Sequence, residues 1–576
     1  MRLRLLALLP AAALLCACDP EAAVSPSDPQ PGDRLSSGAL EPSGTVGPTT
    51  GTHTGSQSSG GAGGNGQGGA GQGGDVSSPS SGGAGPGPGP GGGGSGQGGD
   101  TSVTTGAGGE GACDGGSGFI ADLGVSTRIL LRGTIVASTG IVEGELLVDG
   151  DTITCLAASC AGEPGADAAT IVETEGYILP GLIDGHNHIL FDIFDADDWA
   201  PTQTYTNHLQ WAANAEYEVV VDAKQDMNGE MGSDVELGCE LNKYGEMKAL
   251  IAGTTSVQGS PGTSRNCYGS LARSIDGQND LPDDNMQTAT IFPSNDAANG
   301  VCTNFGDGDT TSYLIHLGEG VDQTALNQWG NLNTITTTDG CLVSDETAII
   351  HGTAFGNPEF QTMANEGMSL IWSPQSNVFL YGAGTDLTKT TDIPTVLSLG
   401  INVGLGPDWS LGGSVNMLDE IRFADLVDNE QWGDLLTPKM LFEMATINNA
   451  RAMKLDSLIG SLADGKRADL FVLRKIEDDP YDTVLRSLPR DVVLTMVDGK
   501  VLYGDVALQA LGPASNQCEE LEVCCATKFA CIAESGGPPA DRMDQTFVEI
   551  TQILEAGLND VAPQFLPLAP IVKCPG

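Results

Sequence analysis

An α/β fold, a (β/α)8 barrel with a small composite β-sandwich formed from segments before and after it, is predicted by three features of this 576-residue chain. First, short apolar runs ("YILPGLID", "GTTSVQG", "TSYLIH", "TAIIHGT", "MSLIWSP", "GINVGLGPD") alternate with segments of helical pattern ("KYGEMKALIAG", "NPEFQTMANEG", "SVNMLDEIRFADLV"). That alternation marks βα units around a parallel sheet. Second, strand texture broken by Gly and Asp-Gly lies before them, in "RILLRGTIVASTGIVEGELLVDGDTITCL", and returns after them in "ADLFVLR" and "DVVLTMVDGKVLYGD". Third, the polar residues at the strand ends keep a rhythm. From His188 to His316 is 128 residues, from His316 to His351 is 35, and from His351 to Asp408 is 57. A barrel of about 250 residues allots roughly 31 to each unit, so the gaps are near four units, one and two. A doubly wound sheet with insertions accounts for the alternation but not for this spacing.

Taken in order, residues 1–18, "MRLRLLALLPAAALLCAC", hold two arginines and then a Leu/Ala run of signal-peptide length, short for a bilayer span. The ending "LCAC" resembles the lipobox of bacterial lipoproteins, with Cys18 as the lipidated residue. Residues 19–117 are Gly, Ser, Pro and Gln with few aliphatics; such a segment cannot bury enough apolar surface to offset its chain entropy and is expected to be a disordered tether. Residues 118–180 are expected to form the N-terminal part of the β-sandwich, 181–455 the barrel, and 456–505 the C-terminal part of the β-sandwich. Residues 506–576 form a cysteine-containing extension in which "MDQTFVEITQILEAGL" reads as an amphipathic helix packed on the barrel.

Fourteen cysteines, twelve of them beyond Cys18, fit an exported protein with disulfides. The cluster "CEELEVCCATKFAC" lacks the paired C-x-x-C of a zinc ribbon and reads as a stapled tail. The formal charge is −50, from 75 acidic and 25 basic residues. Such a charge disfavours nucleic acid and anionic membrane surfaces as partners, leaving membrane attachment to the N-terminal lipid. The expected location is therefore the cell envelope, lipid-anchored.

The chemistry is concentrated in few residues. His186 and His188 flank one asparagine in "GLIDGHNHILF", in a chain with only six histidines. At a strand end, alternate side chains share one side, which in a barrel is the lumen. Imidazole suits Zn2+ or Fe2+, and a third imidazole with a carboxylate would leave room for an activated water. His316 and Asp408 fall on the right rhythm, and Glu319 in "HLGEG" stands ready as an acid for the leaving group.

These motifs together resemble the metal-dependent amidohydrolase superfamily, most closely its atrazine chlorohydrolase and guanine deaminase-type branch. "YILPGLIDGHNHI" resembles the first-strand signature, "GEMKALIAGTTSV" the helix and second strand, "HLGEG" the fifth-strand motif and "HGT" the sixth. "SPQSNVFL" resembles the Ser-Asn turn after strand 7, "GINVGLGPDWS" the eighth strand, and "IGSLADGKRADLFVL" the return to the β-sandwich. The resemblance implies that His186, His188, His316 and Asp408 bind one divalent metal, Zn2+ or alternatively Fe2+. It implies that Asp408 accepts the proton of the attacking water, Glu319 protonates the substrate nitrogen, and His351 orients the attacking oxygen or polarises the substrate. Ser376 and Asn377 would line or brace the substrate site. Two-metal members bridge their ions through a lysine on strand 4; no lysine occurs between Lys248 and Lys389, so a single-metal centre is expected.

The function implied is hydrolysis of a non-peptide C–N bond in a small molecule, with deamination of a heterocyclic or amidine-type substrate first. A cyclic-amide hydrolase resembling imidazolonepropionase is the alternative, and a non-catalytic surface-tethered binding lipoprotein is the reading from another class. His208 reads as an ordinary surface histidine. The acidic run Asp192, Asp195, Asp197 and Asp198 would either meet a cationic substrate or form a solvated loop.

Overall fold

The runs "SYLIHL", "TAIIH" and "SLIW" are buried at every position, the pattern of strands covered on both faces. In the computed structural model they are three of eight short parallel strands. These are β1 (Leu182–Asp184), β2 (Thr254–Val257), β3 (Arg273–Ser274), β4 (Met286–Ala289), β5 (Ser312–Leu317), β6 (Thr347–His351), β7 (Ser369–Trp372) and β8 (Asn402–Leu405). The structure describes residues 118–576 apart from 202, 233–234, 263–264, 278–280, 282–284, 537–538, 563–566 and 575–576. The leader with Cys18 and the Gly-rich segment to 117 lie outside the described residues.

β1, β2 and β3 pair in parallel, as do β4 through β8. The first and last strands are joined by backbone bonds from Gly185 N–H to Leu405 O (3.0 Å) and from Asp408 N–H to His186 O (2.8 Å), and by a parallel bridge between Asn187 and Asp408. Between β3 and β4 the Thr288 hydroxyl, on β4, donates to Asp276 just past β3 (3.2 Å). Eight parallel strands closed in this way make the (β/α)8 barrel, whose C-terminal strand ends face one pocket.

Strands from both flanks enter one ten-stranded sheet. Its middle strand, Ala169–Pro180, pairs with Val125–Ala137 on one side and with Leu470–Arg474 on the other. The entry to the barrel and the exit from it thus lie side by side. Leu146 and Val148 from one end of the sheet share a core with Phe529 and Cys531 from the other. The sheet also continues past residue 505: Asn516–Val523 and Ala526–Glu534 extend it as a hairpin. The strand "NQCEELEV" exposes Glu520 and Glu522 at a sheet edge, where charge discourages further pairing, while Glu519 turns inward and accepts the Phe547 N–H.

Helix α1 (His208–Ala212) follows β1, α2 (Gly238–Leu250) precedes β2, and α3 (Pro374–Tyr381) follows β7. The C-terminal helix α4 (Phe547–Val561) begins with a capping box of Thr546 and Glu549. It buries Ile550, Leu554 and Leu558, one turn apart, and Phe547 stacks on Tyr244 of α2 at 5.9 Å. Beyond it, Ala569 N–H donates to Ile193 O (3.0 Å), Lys573 pairs with Asp195 (3.2 Å), and a disulfide joins Cys574 to Cys524. This strap ties the loop after β1 to the edge hairpin of the sheet. Further disulfides join Cys155–Cys160, Cys239–Cys267, Cys302–Cys341 and Cys518–Cys531. Among the described residues no helix is long and apolar enough to cross a membrane.

Candidate metal centre and its acid

The predicted strand assignment holds position by position. His186 and His188 follow β1, His316 lies in β5, His351 ends β6, and Asp408 follows β8. His186 Nε2 lies 3.0 Å from Asp408 Oδ1 and 3.1 Å from His316 Nε2, and His188 Nε2 lies 3.5 Å from Asp408 Oδ1. His351 faces the same cluster, its ring centroid 5.3 Å from that of His186. Two sets of convergent donors result, His186/His188/Asp408 and His186/His316/His351. Two of these residues hold a backbone conformation rare outside glycine, His351 at φ 70° and Asp408 at φ 72°. Such strain persists where surrounding structure dictates it, and it clusters at functional sites.

Hydrogen bonding decides which ring nitrogens are free. The Gln258 amide NH2 donates to Ser260 and Asp276, so its Oε1 faces His186 Nδ1 at 3.4 Å and must accept from it. The Ala289 carbonyl likewise takes the Nδ1–H of His316 at 3.2 Å. Both histidines therefore present an unprotonated Nε2, and burial lowers the pKa of each to about 3. The two imidazole lone pairs and an Asp408 carboxyl oxygen meet at about 3 Å. Neutral imidazoles with a carboxylate are divalent-metal donors. The residues present fit such an ion.

His351 differs. The Trp372 indole N–H, which can only donate, bonds the Thr390 hydroxyl at 2.7 Å. Thr390 then donates to Asn377 Oδ1 (3.3 Å), which turns the Asn377 NH2 toward His351 Nδ1 at 3.2 Å. His351 Nδ1 accepts, so its proton sits on Nε2, and the ring offers the site a donor instead of a lone pair. Asn377 thus braces His351, and Ser376 donates to Asp408 Oδ2 at 2.5 Å, leaving Oδ1 toward the histidines. Both lie in the first turns of α3, a helix where the motif suggested a turn.

Glu319 follows β5 and is buried. Burial, with the nearby Asp408 charge adding to it, pushes its carboxyl up to about 8, so it carries a proton at neutral pH. Tyr381, at the end of α3, donates its hydroxyl to Glu319 Oε1 at 2.9 Å. Four aromatic rings, Phe191, Trp199, Trp211 and Tyr217, surround Trp409 at 5.5–6.5 Å, and Trp409 lies 6.0 Å from His188.

Several polar residues take parts other than those expected. His208 is half-buried: its N–H donates to Glu319 O (3.2 Å), and burial lowers its pKa. The cause is the loop 205–211, which is pinned to the loop after β5 by Val321 N–H to Thr206 O (2.7 Å) and by Asp322 bonds to Thr206 and Asn207. Asp192 meets neither solvent nor an open site. It is buried, accepts the Ser410 N–H at 2.9 Å, and is raised to about 6 by burial. Sequence reasoning passed over Gln258, Trp211 and Tyr381; nothing in their local sequence sets them apart from ordinary core residues.

Residues 382–502 match the amidohydrolase family. A 5-methylthioadenosine/S-adenosylhomocysteine deaminase of Thermococcus kodakarensis is 28% identical over 200 residues, 33% of this chain and 45% of that protein. The chain spans less than half the length of the first two curated relatives it matches. A 5'-deoxyadenosine deaminase of Methanothermobacter thermautotrophicus is 24% identical over 441 residues, 66% of this chain and 95% of that protein. The crystal structure of a triazine hydrolase variant superposes with a TM-score of 0.50 at 18% identity, over 65% of this chain and 94% of the other, a likeness of fold. The family match over residues 382–502, which contains Asp408, and the likeness of fold both support the resemblance read from the strand-end motifs.

Proposed function

We propose that this chain is a metal-dependent hydrolase of a non-peptide C–N bond, deaminating a heterocyclic or amidine-type small molecule. The observation that carries the reading is the convergence of ligand atoms from His186, His316 and Asp408 beside a protonated carboxyl, Glu319. His188 completes the ligand set, and β4, "MQTA", offers no lysine to bridge a second ion, which supports a single-metal centre with zinc as the ion. When bound, such an ion brings the pKa of a coordinated water toward neutrality.

The protein's own groups do the rest. Asp408, its Oδ2 held by Ser376, is placed to take a proton at Oδ1. His351 donates from Nε2 to the attacking oxygen or to the substrate atom that gains charge. Glu319 delivers its proton to the ring nitrogen or the departing amine, as a general acid must. The deaminases among the relatives support this order of preference. The leader ending at Cys18 would carry the chemistry to the cell envelope on a lipid anchor, and the disulfides support an oxidising compartment.

The test is ammonia release by the zinc-loaded protein from purines, adenosine derivatives, pyrimidines, triazines and pterins, alongside metal analysis. Turnover with about one zinc per chain is expected. Opening of cyclic amides without any ammonia would overturn the deaminase reading, and two tightly bound ions would overturn the single-metal centre.

A further inference from the structure

Glu319 is met by a chain of hydrogen bonds that the reaction outlined above does not use. Trp211 of α1 points its indole N–H at the Tyr381 hydroxyl, 3.1 Å away, and also bears directly on Glu319 as a hydrogen-bond donor. An indole N–H cannot accept, so the tyrosine oxygen accepts there and its single proton goes to Glu319 Oε1 at 2.9 Å. Tyr381 is buried and has no freedom to reverse the order. An Oε1 that accepts from Tyr381 is the carbonyl oxygen of the protonated carboxyl, so the acid proton resides on Oε2. We propose that Tyr381, oriented by Trp211, is a positioning residue that fixes the acid proton of Glu319 on Oε2, the oxygen presented to substrate.

The surrounding backbone serves the same arrangement. Tyr205 N–H donates to Leu380 O (3.2 Å), and His208 N–H donates to Glu319 O (3.2 Å). The loop after β1 is thereby fastened both to α3, which carries Tyr381, and to the loop that carries the acid. Trp211 reports the seating of that loop to Glu319, so the acid is correctly protonated only when the loop is in place. The inference rests on the reading of Glu319 as the acid, and its test does not depend on knowing the substrate.

The experiment uses the full zinc-loaded protein and its Tyr381→Phe, Trp211→Phe and Glu319→Gln variants. Infrared difference spectra against Glu319→Gln isolate the protonated carboxyl C=O band of Glu319. In Tyr381→Phe that band moves to higher frequency, because its carbonyl loses a donor, and the Glu319 titration moves to higher pH. Trp211→Phe shifts both in the same direction. With any substrate that the panel identifies, Tyr381→Phe lowers kcat roughly 10- to 100-fold, a fraction of what a general acid supplies, with KM and zinc content little changed. A band and titration that match the wild type in Tyr381→Phe overturn the inference, as does a loss of kcat with an unmoved alkaline limb. Absence of ammonia from the wild type overturns the deaminase reading instead and leaves the infrared result to decide on Tyr381.

Discussion

Replacing Ser376 with alanine removes one hydroxyl from a fully buried position, and the cost can be worked from the geometry. That hydroxyl donates to Asp408 Oδ2 at 2.5 Å, inside the range of charge-assisted bonds, each worth about 1.5–3 kcal/mol. Without it a carboxylate oxygen is left buried and unpaired, and at 1.4 kcal/mol per decade the loss corresponds to roughly 10- to 100-fold. The same range is typical for groups that orient metal ligands. Ser376 also acts on the Asp408 proton. Burial raises the Asp408 pKa and the serine bond lowers it, so Ser376→Ala raises it further and lets protons compete better with the metal. Zinc affinity should therefore fall about 10- to 100-fold, and by more at mildly acidic pH than at neutral pH. A chelator-competition titration at two pH values measures both effects. Affinity equal to that of the native protein at both would refute the assignment of Ser376 as the brace of Asp408.

Glu319→Gln should retain zinc and lose turnover. In the native protein the rate of the proposed reaction, which needs the protonated acid, should hold at neutral pH and fall as pH rises through about 8; a pH–rate profile decides. Lys528 sits buried with its ammonium on Asp505 (2.5 Å) and on Val492 O (2.7 Å). Lys528→Ala strands that carboxylate and should cost about 3–5 kcal/mol, while a joint Lys528→Met, Asp505→Leu change costs much less; chemical denaturation distinguishes them. Buried Glu246 accepts N–H bonds from Gly269 and Leu271, yet burial raises it to about 7. Its folded pKa exceeds the ordinary value of 4.5, so the folded state keeps a proton that the unfolded chain releases. Stability should decline as pH rises from about 4.5 to about 7, and Glu246→Gln should flatten that slope in melting curves taken across the interval.

The barrel and the ligands were legible in the sequence because both depend on spacing along the chain. Parallel strands recur at near-constant intervals, so His316, His351 and Asp408 could be placed on strands 5, 6 and 8 by counting. The parts that were not legible depend on contacts between distant segments. The proton on His351 Nε2 is set by Trp372 acting through Thr390 and Asn377, three residues that any buried strand and helix could contain. Trp211 and Tyr381 look like core aromatics until their polar atoms are seen to meet at Glu319. His208 reads as a surface residue because nothing local reveals that Thr206 and Asn207 are bound to Asp322. The edge strand Asn516–Val523 was missed because a bulge at Gln517–Cys518 and the inward Glu519 interrupt the alternation that marks a strand.

The strap from Ala569 to Cys574 has a consequence for how the site is assembled. It grips Ile193 and Asp195, a few residues from His188, yet it is synthesised long after the barrel strands. Chains form their N-terminal parts first, so the loop beside the first two ligands waits for a distant segment, and its lock waits for an oxidant to join Cys524 to Cys574. The loop beside His188 thus receives its covalent tie to the sheet hairpin last, when Cys524 and Cys574 are joined. A copy held in a reducing environment would keep its barrel, its ligands and the hydrogen bonds of the loop next to His188, but not the covalent tie from the strap to the sheet hairpin.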